Sequence, residues 1–85
     1  MPHEVDELEL PIDPTLRALQ LSLSKLVGEW AQHKHNQEEA ERIVGEYHDI
    51  VARLYSLGWD GYIDIEAQLP KRLMPEEYLR RHPSF

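Results

Sequence analysis

The sequence predicts a mainly α fold, an antiparallel helical hairpin with helices over residues 14–33 and 37–57. Apolar residues repeat at heptad spacing in one register from Leu16 to Leu54, a pattern typical of helices that pack on other helices. A helix start signal at Asn36 and a stop signal at Gly58 mark the limits of the second helix. With 85 residues and no cysteine, the chain makes one small domain, residues 1–85, that disulfides cannot stabilise.

An extended acidic arm is predicted for residues 1–12. Leu8, Leu10 and Ile12 alternate with polar or acidic residues, which is typical of an extended segment or a short edge strand, and the prolines nearby disfavour a helix. Together with Asp13, the arm carries five acidic side chains and neither lysine nor arginine, out of a net charge of −7 for the chain. The arm is therefore the most strongly charged segment.

The first helix is predicted to begin at Pro14, because Asp13 is a good N-cap and proline suits the first helical position. The periodic pattern then continues to His33. Leu21 and Gly28 interrupt it at outer positions one heptad apart. They indicate either a second contact surface or, for the leucine, ordinary surface exposure.

The polar junction around residues 33–37 leaves two architectures open. It contains neither glycine nor proline, and the heptad register continues through it. One continuous helix from Pro14 to Leu57 would then be about 66 Å long. The spacing of Asn36 and Glu39 resembles a capping box, and the usual lengths of helices favour a turn. We therefore predict the hairpin.

Residues 58–85 are predicted to form a turn and a tail that packs on the hairpin. Trp59 should fold back on the last helical turn after the glycine. Residues 62–65 alternate in a way that indicates a short strand, which could pair with the arm. Pro75 and the acidic residues after it predict a last short helix with a basic end.

A homodimer, as a four-helix bundle of two chains, is the predicted assembly, because two helices alone leave much of the apolar stripe uncovered. The predicted interface consists of Leu16, Leu19, Leu23, Leu26, Trp30, Val44, Tyr47, Val51 and Leu54. Three aromatic residues, Tyr55, Trp59 and Tyr62, are a candidate partner patch. The same aromatics also suit a small core between tail and helices.

Composition disfavours several classes of protein. A net charge of −7 repels phosphate backbones, so we expect no nucleic-acid binding. The sequence has no apolar run of membrane-spanning length and no signal-peptide pattern near its beginning, so we expect a soluble cytoplasmic protein. No catalytic signature, phosphate loop or cofactor motif is present, and we expect neither an enzyme nor a cofactor.

The histidines are candidate metal ligands, and one of them is a candidate polar residue in the interface between the helices. Glu29 and His33 lie four apart on one predicted helix face, while His35 and His48 lie elsewhere. No metal signature joins them, and we predict no metal site. His33 also occupies a heptad core position, where a histidine could make association sensitive to pH. A solvated position in the turn is the simpler interpretation.

The function predicted from these patterns is that of a non-catalytic protein–protein interaction or adaptor protein working as a helical homo-oligomer. Two alternatives remain at this point. One is an acidic inhibitor or antitoxin that binds a basic partner, which the charge of the arm suggests. The other is a metal-binding helical-bundle protein.

Overall fold

A computed structural model describes residues 14–83, and this part of the chain is mainly helical and contains no strand. Two long helices, α1 (Pro14–His33) and α2 (Gln37–Ser56), pack against each other as a hairpin. The predicted hairpin is confirmed, and the chain turns at residues 34–36 instead of continuing as one helix. The elements of the tail are two 3-10 helices, Ile65–Ala67 and Lys71–Leu73, and the short helix α3, Glu76–Arg81.

The start of α2 follows the predicted cap in part. Asn36 has extended backbone angles, and its side-chain oxygen accepts a hydrogen bond of 3.2 Å from the backbone N–H of Glu39. The reciprocal half of a capping box is missing, because the Glu39 carboxylate pairs with Arg42 at 2.8 Å. The N–H of Asn36 instead donates to the carbonyl of His33 at 2.9 Å. The backbone N–H groups of Glu39 and Asn36 therefore both have a hydrogen-bond acceptor.

Helix α2 ends with the predicted glycine stop. Gly58 has a φ of 91°, which side chains disfavour and glycine accepts. Its N–H donates to the carbonyl of Tyr55 at 3.0 Å, and that of Trp59 donates to the carbonyl of Leu54 at 3.1 Å. These two bonds define a Schellman motif. The Trp59 ring stacks on Tyr55 with 6.0 Å between ring centroids, so the chain folds back on the last turn as predicted.

One hydrophobic core joins the hairpin to the tail. Helix α1 contributes two buried side chains, α2 four and the tail five. The core residues are Leu23, Leu26, Ile43, Tyr47, Val51, Leu54, Ile63, Ala67, Leu69, Met74 and Tyr78. The tail of the same chain therefore covers a large part of the stripe that the sequence assigned to a second chain.

Hydrogen bonds fix the tail at three places. The hydroxyl of Tyr47 donates to the carbonyl of Ala67 inside the core. The Nε2 atom of His48 bonds the carbonyl of Leu73 at 2.7 Å. Within the tail, the N–H of Ile63 donates to the hydroxyl of Tyr78 at 3.1 Å. The buried tyrosines thus satisfy backbone groups that would otherwise lie in the core without partners.

The strand predicted for residues 62–65 is wrong, since the structure has no strand within residues 14–83. In a strand, Ile63 and Ile65 would lie on the same face. In the structure Ile63 is buried, whereas Ile65 is 84% exposed and begins a 3-10 helix. The predicted terminal helix is present and begins at Glu76. The arm, its proposed pairing and the Asp13 cap lie outside the described residues.

Stability is expected to fall at alkaline pH because of the buried tyrosines. Burial raises the pKa of the Tyr47 hydroxyl far above its usual value, and burial also raises the pKa of Tyr55. The unfolded chain releases these protons near pH 10. The contribution of Tyr47 is therefore fully present below pH 10 and is lost as the pH rises above it, at up to about 1.4 kcal/mol per pH unit.

Urea unfolding followed by circular dichroism between pH 8 and 11.5 measures this loss. The Tyr47→Phe variant is the matched control, since it keeps the lysine and arginine titrations and removes one buried hydroxyl. We expect a shallower decline in this variant than in the wild type. Equal slopes for the two proteins would contradict the assignment to Tyr47.

Candidate partner-binding groove

The tail leaves the turn end of the hairpin uncovered. It meets α2 at His48, where Leu73 is bonded, and then turns back into α3. The first turns of α2 and the last turn of α1 lie beyond this point. An open groove with a volume of about 460 Å³ occupies the space. We call it the turn groove; its floor consists of Trp30, Ala40, Val44, Gly45 and Leu73, and its rim of Lys34, His35, Gln37, Glu41 and Arg72.

The floor of the turn groove is apolar and reachable from solvent. Trp30, Val44 and Leu73 are half-buried and pack against the core from outside. Their exposed surface lines a concave site instead of being scattered over the molecule. Concave apolar sites of this size are typical of binding sites, and contiguous apolar surface usually marks contact with another molecule.

Gly45 gives the groove wall an open strip of helix backbone. A Cβ built at this position meets nothing within 4 Å, so the fold of this chain does not require the glycine. Glycine inside a helix costs about 1 kcal/mol relative to alanine. Gly28 in α1 is equally unobstructed but lies outside the groove. The two glycines therefore form a natural pair of test and control positions.

The rim of the turn groove carries excess positive charge. The ammonium group of Lys34 lies 5.6 Å from the centroid of the Trp30 ring, a cation–π distance. Glu41 accepts a hydrogen bond of 3.1 Å from the Gln37 side chain. Within residues 14–83, no carboxylate forms an ion pair with Lys34 or Arg72. Two cations without ion-pair partners thus flank an apolar floor.

The nine residues of the predicted oligomer interface fall into two groups. Five are buried in the core of the single chain and offer no surface to a second one: Leu23, Leu26, Tyr47, Val51 and Leu54. Four are half-buried: Leu16, Leu19, Trp30 and Val44. Two of this second group, Trp30 and Val44, line the turn groove. While the tail is in place, the side chains of the first group are covered by their own chain.

The predicted aromatic patch is largely engaged in packing within the chain. Tyr55 and Trp59 are half-buried and stack on each other, and the guanidinium carbon of Arg81 lies 4.1 Å from the centroid of the Tyr55 ring. Tyr62 remains 69% exposed, with its ring centroid 4.1 Å from that of His82. Tyr62 therefore supplies most of the surface that this patch retains.

The histidines considered as ligands do not form one cluster. His33 and His35 are exposed at the turn, whereas His48 is bonded to the tail. The described residues contain no group of three potential ligands that could hold a metal ion. His33 faces solvent at the end of α1, so it does not occupy the packed seam that its heptad position suggested.

Sequence reasoning missed Gly45, Arg72 and Leu73 as parts of one site. The one signal of this site in the sequence was a glycine inside an otherwise regular helix.

Comparisons of the chain with protein-family models, curated proteins and solved structures find no match. Among residues 14–83, neither long helix has the length of apolar sequence needed to cross a membrane.

Proposed function

We propose that this chain is a non-catalytic protein–protein interaction protein, an adaptor, whose partner binds in the turn groove. The proposal is supported by the open apolar groove between Trp30, Val44 and Leu73. Because the groove is open to solvent, it suits a polypeptide segment better than a small molecule that needs an enclosed site. A large aromatic side chain at its floor is a frequent anchor of interfaces.

The polar groups of the groove support binding better than catalysis. All of its titratable side chains, those of Lys34, His35, Glu41 and Arg72, are exposed to solvent. General acids and bases are usually groups that burial and close neighbours have withdrawn from water. We therefore assign these side chains to recognition and orientation of the partner.

A glutamine at position 45 is expected to weaken partner binding at least about tenfold, or about 1.4 kcal/mol, because its side chain would occupy the groove. The matched control is Gly28→Gln, which gains similar helix propensity on a surface outside the groove. A partner captured from cell extract by the immobilised wild-type chain is identified by mass spectrometry and titrated against both variants by calorimetry. Equal affinity for the two variants would contradict the proposed site.

A further inference from the structure

We propose that the occupant of the turn groove is the acidic arm, residues 1–13, of a second copy of this chain. This inference rests on the proposed function, since it names the partner of the same groove. The arm has five acidic residues and no lysine or arginine. The rim offers Lys34 and Arg72 without ion-pair partners in the described residues. Opposite charges on two surfaces favour their association and fix its register.

The apolar pattern of the arm complements the floor as its charge complements the rim. Leu8, Leu10 and Ile12 are spaced two apart, so in an extended segment they share one face at intervals of about 7 Å. That face matches an apolar floor built on Trp30 and Val44. Glu7 and Glu9, which flank Leu8, then lie at the mouth of the groove, where the long rim cations can reach them.

Chain geometry assigns the arm to a second copy. Trp30 lies sixteen residues after Pro14 in α1, which is about 24 Å along a helix axis. Leu8 precedes Pro14 by six residues, which span at most about 21 Å when fully extended. Leu10 and Ile12 lie closer still to Pro14 along the chain, so they cannot reach Trp30 of their own chain, and the three apolar residues of the arm cannot all lie beside it. Two chains with antiparallel α1 helices can exchange arms reciprocally, as a two-fold symmetric dimer requires.

Charge reversal in the full-length chain tests the exchange by light scattering after size exclusion. We expect a dimer for the wild type. We expect monomers for Lys34→Glu with Arg72→Glu, and also for Glu7→Lys with Glu9→Lys. An equimolar mixture of these two variants should restore a dimer, because both groove–arm pairs in it, wild-type with wild-type and reversed with reversed, then place opposite charges at the substituted positions. Lys25→Glu with Arg53→Glu makes the same charge change away from the groove and should leave the dimer intact.

A labelled peptide separates failure of this inference from failure of the proposed function. The probe is a fluorescein-labelled peptide of residues 1–13, and the receptor is the Glu7→Lys, Glu9→Lys chain, whose own arms do not compete. We expect binding that Gly45→Gln removes and Gly28→Gln preserves. Three results would overturn the arm exchange. They are a monomeric wild type with a receptor that does not bind the peptide, a dimer that persists in both charge-reversal variants, and an equimolar mixture that stays monomeric. If a captured protein still depends on Gly45, the groove keeps its proposed function with another occupant.

Discussion

Replacing Tyr47 by alanine is expected to lower the free energy of unfolding by about 3–5 kcal/mol, the usual cost of truncating a buried aromatic side chain. Tyr47 is completely buried where α2 meets the tail, and its hydroxyl donates to the Ala67 carbonyl. Truncation removes both the packing and the bond. A domain of this size is usually stable by about 4–13 kcal/mol in total, so the substitution removes a large fraction of the stability of the chain.

Two further variants separate the contributions to stability. One removes only the hydroxyl of Tyr47, and the other truncates an exposed tyrosine as a control. Tyr47→Phe keeps the ring and should cost about 1–2 kcal/mol, because the carbonyl of Ala67 loses its partner. Tyr62→Ala removes a tyrosine ring that is 69% exposed and should change stability by less than about 0.5 kcal/mol. Urea unfolding followed by circular dichroism measures all three. A Tyr47→Ala chain within about 1 kcal/mol of the wild type would show that the core is not built around this residue.

Placing an aspartate at Met74 is expected to release the tail, at a cost of about 3 kcal/mol or more for an unpaired buried charge. Met74 is only 4% exposed and lies between the second 3-10 helix and α3. With the tail displaced, the apolar surface of Tyr47 and Val51 becomes accessible. The variant should therefore form larger species through the stripe that the tail normally covers.

The same substitution at Ile65 is the control, because that side chain is 84% exposed and an aspartate there remains in water. Its stability should stay within about 0.5 kcal/mol of the wild type. Urea unfolding gives the stability of both variants, and light scattering gives their mass. If Met74→Asp were as stable and of the same mass as Ile65→Asp, the tail would not be what closes the core.

The hairpin was predictable because its limits depend on local chemistry. The Asn36 side chain caps α2 by bonding a group three residues away, and Gly58 ends it through its own backbone angle. Both signals are contained within a few residues of sequence. The heptad stripe likewise showed which helix faces are buried, since periodicity follows from helix geometry alone.

What covers those faces was not predictable from periodicity. A heptad pattern indicates that a helix face is buried, but it does not indicate which segment covers that face. Here Ile63, Leu69 and Tyr78 of the tail pack in the core with the buried residues of both long helices. The strand predicted for residues 62–65 also depended on periodicity alone, which does not show that Ile63 packs into the core while Ile65 stays exposed. The groove depends on Trp30 and Leu73 approaching across more than forty residues of sequence, a contact that only the tertiary fold defines.

Acrylamide quenching of Trp30 tests most directly whether the turn groove is the binding surface. A Trp59→Phe chain leaves Trp30 as the single tryptophan and keeps an aromatic ring beside Tyr55. Quenching is compared between the free chain and its complex, whether the partner is a second copy or another protein. We expect Trp30 to be quenched readily in the free chain and to be protected in the complex. Equal quenching in the two states would contradict this expectation, since the bound partner would then lie elsewhere.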